Sequence, residues 1–126
     1  MKTVHDLVAE ARQHITEITP SEAEQAIRDA DIVIDIREPE EYHQGHVPGA
    51  VNIPRGILEF KLSSSSETES RDTNIVLYCK SNGRGALAAK NLKEMGYLKV
   101  KTIAGGIDAW TAENKPLAQP RELDFD

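Results

Sequence analysis

The stretch "IVLYCKSNGRGALAAK", residues 75–90, predicts a strand, a short loop and a helix in immediate succession. Residues 75–78 are all apolar or aromatic, as expected of a strand that is buried on both faces. Residues 86–95 have a helical pattern, and Gly96 stands where a helix-ending glycine belongs. Cys79 directly follows the strand. Because open α/β sheets place their functional sites at the carboxyl ends of strands, Cys79 is the first candidate for a functional residue.

The rest of the chain alternates between strand and helix patterns. Further strands are predicted near Ile18, at residues 32–36, around residues 51–53 and at residues 100–103. Helices are predicted at residues 4–15, from Ser21 onwards, at residues 39–42, 57–62 and 107–112. This alternation predicts an α/β fold with a central, mostly parallel sheet flanked by helices. No internal repeat or second domain is visible, so we expect residues 1–126 to form a single domain.

Two local features carry more specific predictions. Ser21 and Glu24 have the three-residue spacing of a capping box, which would start the second helix at Ser21. The polar stretch "SSSSETESRDT", residues 63–73, is the best candidate for a mobile surface loop.

Composition narrows the class of protein. The 126 residues are 39% hydrophobic and 29% charged, which is typical of a globular protein. Fifteen Lys and Arg face 21 Asp and Glu, for a net charge of -6, and no basic patch suggests nucleic-acid binding. The acidic residues are dispersed, which favours a solvated surface. No apolar run reaches membrane-spanning length, and charges near the N-terminus disfavour a signal peptide, so we expect a cytoplasmic protein without membrane contact.

The loop after Cys79 has the residues that activate a thiol. Backbone N–H groups of residues 80–84 can converge there, with Gly83 and Gly85 permitting a tight path. The helix N-terminus adds partial positive charge, and Lys80 and Arg84 add full charges. We therefore expect the thiol pKa to fall from ~8.5 into a range of about 3.5 to 7.5. The alternative is a buried, inert cysteine; the glycines, the basic residues and the helix start together favour a functional one.

Three segments in a fixed order resemble the single-domain rhodaneses of the sulfurtransferase family. They are "DIREPEEYHQGHVPGAVNIP" (35–54), "VLYCKSNGRGALAAKNL" (76–92) and "AGGIDAWTAENKPL" (104–117), and the signature region extends over residues 21–117. The resemblance implies a rhodanese-like fold. The sequence of this chain departs from the pattern of many relatives at Asn82, because those relatives have a glycine at that position. Here the glycine follows one residue later, as Gly83.

The resemblance also implies a function. Cys79 would be the catalytic nucleophile, which takes sulfur from thiosulfate or a related anionic donor and carries it as a persulfide. The acceptor would be cyanide, a thiol or a cysteine of a partner protein. The substrate-binding residues would be Lys80, Ser81, Asn82, Gly83 and Arg84, with Ser81, Asn82 and Gly83 acting through backbone amides. This chemistry requires neither a metal nor an organic cofactor. Since the chain has one cysteine, no second cysteine within it can resolve the persulfide.

Two competing functions share this fold. Phosphatases and arsenate reductases on this fold have a pattern with five residues between the cysteine and the arginine. In this chain four residues separate Cys79 from Arg84, and the shorter loop favours sulfur chemistry. Non-catalytic binding modules on the fold commonly lack the cysteine.

Asp35 and Arg37 can form an ion pair that either supports the loop or is only structural. For His46 we expect a hydrogen-bonded structural role. For Trp110 we expect a role in packing the final helix onto the core, with a place at the rim of the site as the alternative.

Overall fold

The computed structural model describes residues 1–81 and 83–120. Within them lies one five-stranded sheet in the order β1-β5-β4-β2-β3, and every neighbouring pair of strands is parallel. The strands are β1 (Thr16–Ile18), β2 (Ile32–Asp35), β3 (Val51–Asn52), β4 (Ile75–Tyr78) and β5 (Val100–Ile103). The predicted α/β architecture is confirmed.

Six α-helices accompany the sheet in the described residues. They are α1 (Val4–Arg12), α2 (Pro20–Asp29), α3 (Pro39–Gln44), α4 (Leu58–Ser64), α5 (Gly83–Glu94) and α6 (Gly106–Ala112), and a 3₁₀ turn (Arg55–Ile57) precedes α4. Helix α1 ends three residues before the predicted boundary, and α5 begins three residues earlier than predicted. The early start of α5 matters for the site, because it places Gly83 and Arg84 in the first turn of that helix.

Strand β4 lies in the centre of the sheet and is buried along its whole length. Its side chains alternate between the two faces, as the period of a strand requires. Leu77 and Cys79 join the apolar cluster that contains Leu92 of α5. Tyr78 joins the cluster on the opposite face, which contains Trp110 of α6. The thiol of Cys79 therefore faces the layer of α5.

The second helix begins with a different capping box from the predicted one. Thr19 is the N-cap: its hydroxyl accepts the backbone N–H of Glu22, and the Glu22 carboxylate accepts the N–H of Thr19. The assignment to Ser21 and Glu24 was wrong. Pro20 explains the shift, since proline fits the first helical position and so sets the residue before it as the N-cap.

The polar stretch at residues 63–73 has more fixed contacts than the prediction of a mobile surface loop implied. Its first two residues belong to α4. Thr68 is buried and donates its hydroxyl hydrogen to the carbonyl oxygen of Leu62 at 2.9 Å. Arg71 donates to the carbonyl of Met95 and lies over the ring of Tyr97, with its guanidinium carbon 4.5 Å from the ring centroid. These contacts attach the stretch to α4 and to the end of α5.

Candidate functional site

Cys79 is held by backbone hydrogen bonds from two helix starts. Its carbonyl oxygen accepts the N–H of Ile107 at 2.9 Å, and the carbonyl of Lys80 accepts the N–H of Asp108 at 3.0 Å, both from the first turn of α6. Its sulfur accepts the N–H of Gly85, in the first turn of α5, at 3.2 Å. The thiol thus lies at the carboxyl end of the central strand, directly before a helix, as the sequence predicted.

Glycines allow the chain to approach Cys79 closely at two points. A Cβ at Gly85 would lie 2.9 Å from the Thr102 hydroxyl oxygen and 3.4 Å from the Cys79 sulfur. Gly106 has φ +59°, and a Cβ there would lie 2.4 Å from the carbonyl oxygen of Cys79. A turn at Gly106 was predictable from the sequence, but its contact with the Cys79 carbonyl was not, because the contact joins segments 27 positions apart (106 minus 79).

The electrostatics of the thiol differ from the prediction. Burial raises the pKa of the Cys79 thiol above its ordinary value, because only 2% of the residue is exposed and the charged form loses solvation. The backbone N–H groups of Gly85, Ser81 and Arg84 and the charge of Arg84 act in the opposite direction but do not outweigh burial. The expected low pKa was therefore wrong. It counted the groups that favour the thiolate and omitted the loss of water around the sulfur.

Arg84 forms a two-point ion pair with Glu41 of α3. One guanidinium nitrogen lies 2.9 Å from Oε1 of Glu41, and the other lies 3.2 Å from Oε2. Hydrogen bonding to Arg84 lowers the pKa of Glu41 to about 2. Glu41 was not among the predicted site residues. A usable signal was available: it follows shortly after β2, and the carboxyl ends of adjacent parallel strands β2 and β4 lie at the same edge of the sheet.

The other loop residues have separate environments. Lys80 forms an exposed ion pair with Asp108, with its ammonium nitrogen 3.0 Å from Oδ2. Ser81 is exposed, and Gly83 is half-buried at the start of α5. Asn82 lies outside the described residues. A surface groove next to the loop is lined by Arg37, Glu41, Lys80, Asp108 and Leu117, among others, so it contains one carboxylate from each loop ion pair.

A buried ion pair connects the ends of β2 and β4. The Asp35 carboxylate accepts hydrogen bonds from Nη2 of Arg37 at 2.7 Å and from the hydroxyl of Tyr78 at 2.8 Å. Arg37 also donates to the carbonyl of Gly45 at 2.7 Å. The pair is almost fully buried, with side-chain exposures of 0% for Asp35 and 7% for Arg37. Because Tyr78 precedes Cys79, this network fixes the strand end that carries the thiol.

His46 and Trp110 have the structural roles that the sequence indicated. The His46 ring stacks on Tyr42 with centroids 3.8 Å apart, and its Nδ1 lies 3.1 Å from the Tyr42 carbonyl oxygen. Trp110 is buried against the sheet, and its indole N–H donates to the carbonyl of Pro116 at 2.7 Å.

Residues 1–81 and 83–120 lack two features that would indicate other kinds of site. No group of three or more His, Cys, Asp or Glu side chains is arranged there to hold a metal ion. In the same residues no helix combines the length and the apolar character needed to cross a bilayer.

Comparison with known proteins identifies the family. The Rhodanese-like domain family matches residues 19–113, so the chain belongs to the rhodanese-like domain family. A sulfurtransferase from Allochromatium vinosum is 31% identical over 108 residues, which cover 84% of this chain and 97% of that protein. Thiosulfate sulfurtransferase PspE of Escherichia coli is 35% identical over 88 residues, 70% of this chain and 75% of PspE.

A solved structure supports the same fold. A protein of unknown function from Rhodopseudomonas palustris, named as a possible tyrosine phosphatase, has a TM-score of 0.83 and 31% sequence identity. The match covers 94% of this chain and 96% of that one. The family resemblance and the rhodanese-like fold expected from the sequence are both confirmed.

Proposed function

We propose that this protein is a rhodanese-type sulfurtransferase that carries sulfane sulfur as a persulfide on Cys79. The observation that carries the proposal is the position of the chain's single thiol: it ends the central strand and accepts the N–H of Gly85 at the start of α5. Family membership and relatives named as sulfurtransferases support the same reading.

The proposed reaction has two displacement steps. Cys79 first loses its proton to solvent, and the thiolate attacks the outer sulfur of a donor such as thiosulfate. A new S–S bond forms on Cys79, the S–S bond of thiosulfate breaks, and sulfite leaves with the bonding electron pair. An acceptor thiolate or cyanide then attacks the outer sulfur and releases the Cys79 thiolate. One sulfur atom is thereby transferred from the donor to the acceptor, and the Cys79 thiolate is regenerated.

The described residues of the loop supply groups that stabilise the negative charges of this sulfur transfer. The N–H groups of Gly85, Ser81 and Arg84 stabilise negative charge on the sulfur, because hydrogen bonds to the ionised form favour it. We propose that Arg84 and Lys80 attract the donor, and that the amides of Ser81, Asn82 and Gly83 contact it. A persulfide extends the anion by one sulfur atom, so the same N–H groups are suited to hold it in place.

Phosphate chemistry is the alternative to exclude, because a structural relative is named as a possible tyrosine phosphatase. Four residues separate Cys79 from Arg84, and α5 begins already at Gly83. Both features make a short loop around the sulfur. We therefore expect sulfur transfer to exceed hydrolysis of an aryl phosphate.

Intact mass spectrometry tests the proposal directly. The protein is incubated with thiosulfate, and we expect the mass of one sulfur atom to be added to the wild type but not to Cys79→Ser. Subsequent cyanide should remove this mass and yield thiocyanate. Loading of the Cys79→Ser variant, or Cys79-dependent phosphatase activity greater than sulfur transfer, contradicts the proposal. Complete absence of loading from thiosulfate and from a persulfide donor indicates a binding module.

A further inference from the structure

Both cations of the Cys79 loop are already paired with carboxylates from other elements. Arg84 binds Glu41 of α3, and Lys80 binds Asp108 of α6. Arg37, which lines the adjacent groove, is likewise paired with Asp35. A paired carboxylate thus weakens the attraction of each of these three cations for an inorganic dianion.

The Glu41 carboxylate is fixed on two sides. Oε1 accepts the backbone N–H of Glu38 at 2.9 Å, which closes the first turn of α3, and it also accepts one nitrogen of Arg84. Oε2 accepts the other terminal nitrogen of Arg84. This two-point contact is the one by which a guanidinium binds two oxygens of an anion. A donor that uses the same face of Arg84 must therefore displace Glu41.

We propose that Glu41 is a specificity-determining residue: by occupying Arg84 it disfavours the dianion thiosulfate relative to a persulfide carried on a thiol. This inference rests on the proposed function. With a persulfide R–S–SH, the Cys79 thiolate attacks the outer sulfur and forms a new S–S bond, the S–S bond of the donor breaks, and R–S⁻ leaves with the bonding electron pair and takes up a proton. The sulfur oxidation states are exchanged between the two thiols, so no further reactant is needed. The reacting end of this donor carries at most one charge.

Glu41→Gln is the informative substitution, because it removes the charge and keeps the shape of the side chain. We expect kcat/KM for thiosulfate to rise by roughly three- to tenfold, mainly through KM, as competition and repulsion are both relieved. For cysteine persulfide the rise should be about two- to threefold at most, because a single charge is repelled about half as strongly. Glu40→Gln is the matched control: Glu40 is an exposed neighbour in α3, and removing its charge should change neither donor appreciably.

A double substitution separates displacement from general repulsion. If Glu41 acts by occupying Arg84, the gain of Glu41→Gln for thiosulfate disappears in an Arg84→Ala background. A gain that persists there, or equal gains for Glu40→Gln and Glu41→Gln, would overturn the inference. So would a fall in thiosulfate turnover in Glu41→Gln, since Glu41 would then be positioning Arg84 for the donor.

Intact mass of each variant keeps the two proposals distinguishable. Sulfur loading of Cys79 with an unchanged donor preference in Glu41→Gln refutes the role of Glu41 and leaves the sulfurtransferase proposal standing. Absence of loading in every variant and with both donors refutes the proposed function, and the inference with it.

Discussion

Gly106→Ala tests whether the start of α6 determines the position of the loop that follows Cys79. Gly106 has φ +59°, and an added Cβ would lie 2.4 Å from the carbonyl oxygen of Cys79 and 2.7 Å from the carbonyl carbon and oxygen of Lys80. These neighbours are backbone atoms, which cannot move aside as the end of a flexible side chain can. The loop and α6 must therefore separate.

The loss of folding stability that we expect for Gly106→Ala has two parts. The left-handed conformation costs an alanine about 1–2 kcal/mol relative to glycine. Overpacking against atoms that resist displacement typically adds about 1–3 kcal/mol. We expect Gly106→Ala to lower the free energy of unfolding by about 2–5 kcal/mol, and to slow sulfur loading of Cys79 by at least about tenfold, because a small misplacement of a nucleophile is costly.

Gly49→Ala is the control for backbone strain alone. Gly49 has φ +88°, and a Cβ there would meet no atom within 4 Å. Urea denaturation and the rate of sulfur loading from thiosulfate are measured for both variants. Gly49→Ala should lower the free energy of unfolding only by the cost of the left-handed backbone conformation, and it should load sulfur at the wild-type rate. If Gly106→Ala matched Gly49→Ala in both measurements, the reasoning that α6 positions the loop would be wrong.

Three further predictions concern charge and burial. Asp35→Ala should lower the free energy of unfolding by about 3–5 kcal/mol, because it leaves the buried Arg37 guanidinium without its partner; a urea titration showing a loss below about 1 kcal/mol would contradict this. Alkylation of Cys79 by iodoacetamide should accelerate with rising pH and level off only above the ordinary thiol pKa of about 8.5, since burial raises the pKa; a plateau below neutral pH would refute it. Glu41→Gln should be less stable than the wild type by under about 1 kcal/mol at neutral pH. The Glu41 pKa is depressed in the folded state, so this difference should vanish as the pH falls from about 4.3 to about 2, and a constant difference would exclude the ion pair with Arg84.

The sheet could be predicted because its strands are short apolar runs. Residues 75–78 are apolar and are buried on both faces, as is typical of a parallel sheet covered by helices. The ends of the helices were harder to predict than the strands, because several nearby residues can act as caps. Ser21 and Glu24 had the required spacing, but Thr19 and Glu22 had it too, and Pro20 decided between them.

The partners of the loop residues could not be derived from the sequence. Glu41 and Arg84 are 43 positions apart, and Lys80 and Asp108 are 28 positions apart. Each pair forms because the carboxyl ends of parallel strands and the helix starts that follow them meet at one edge of the sheet. The dispersed acidic residues were interpreted as a solvated surface, and that interpretation did not anticipate that Glu41 and Asp108 pair with the two cations of the loop after Cys79.

The thiol of Cys79 shows why a local sequence pattern fails to predict reactivity. Each group that the pattern supplied acts in the expected direction: backbone N–H groups and the charge of Arg84 favour the thiolate. Burial of the thiol, however, also depends on residues distant in sequence, such as Ile34, Ile53 and Leu58 of the same apolar cluster, and burial outweighs the groups that favour the thiolate. The resting thiol is consequently protonated at neutral pH. Slow alkylation at neutral pH would therefore be expected of a sulfurtransferase and of an inert module alike, and only the transfer of a sulfur atom to Cys79 separates the two.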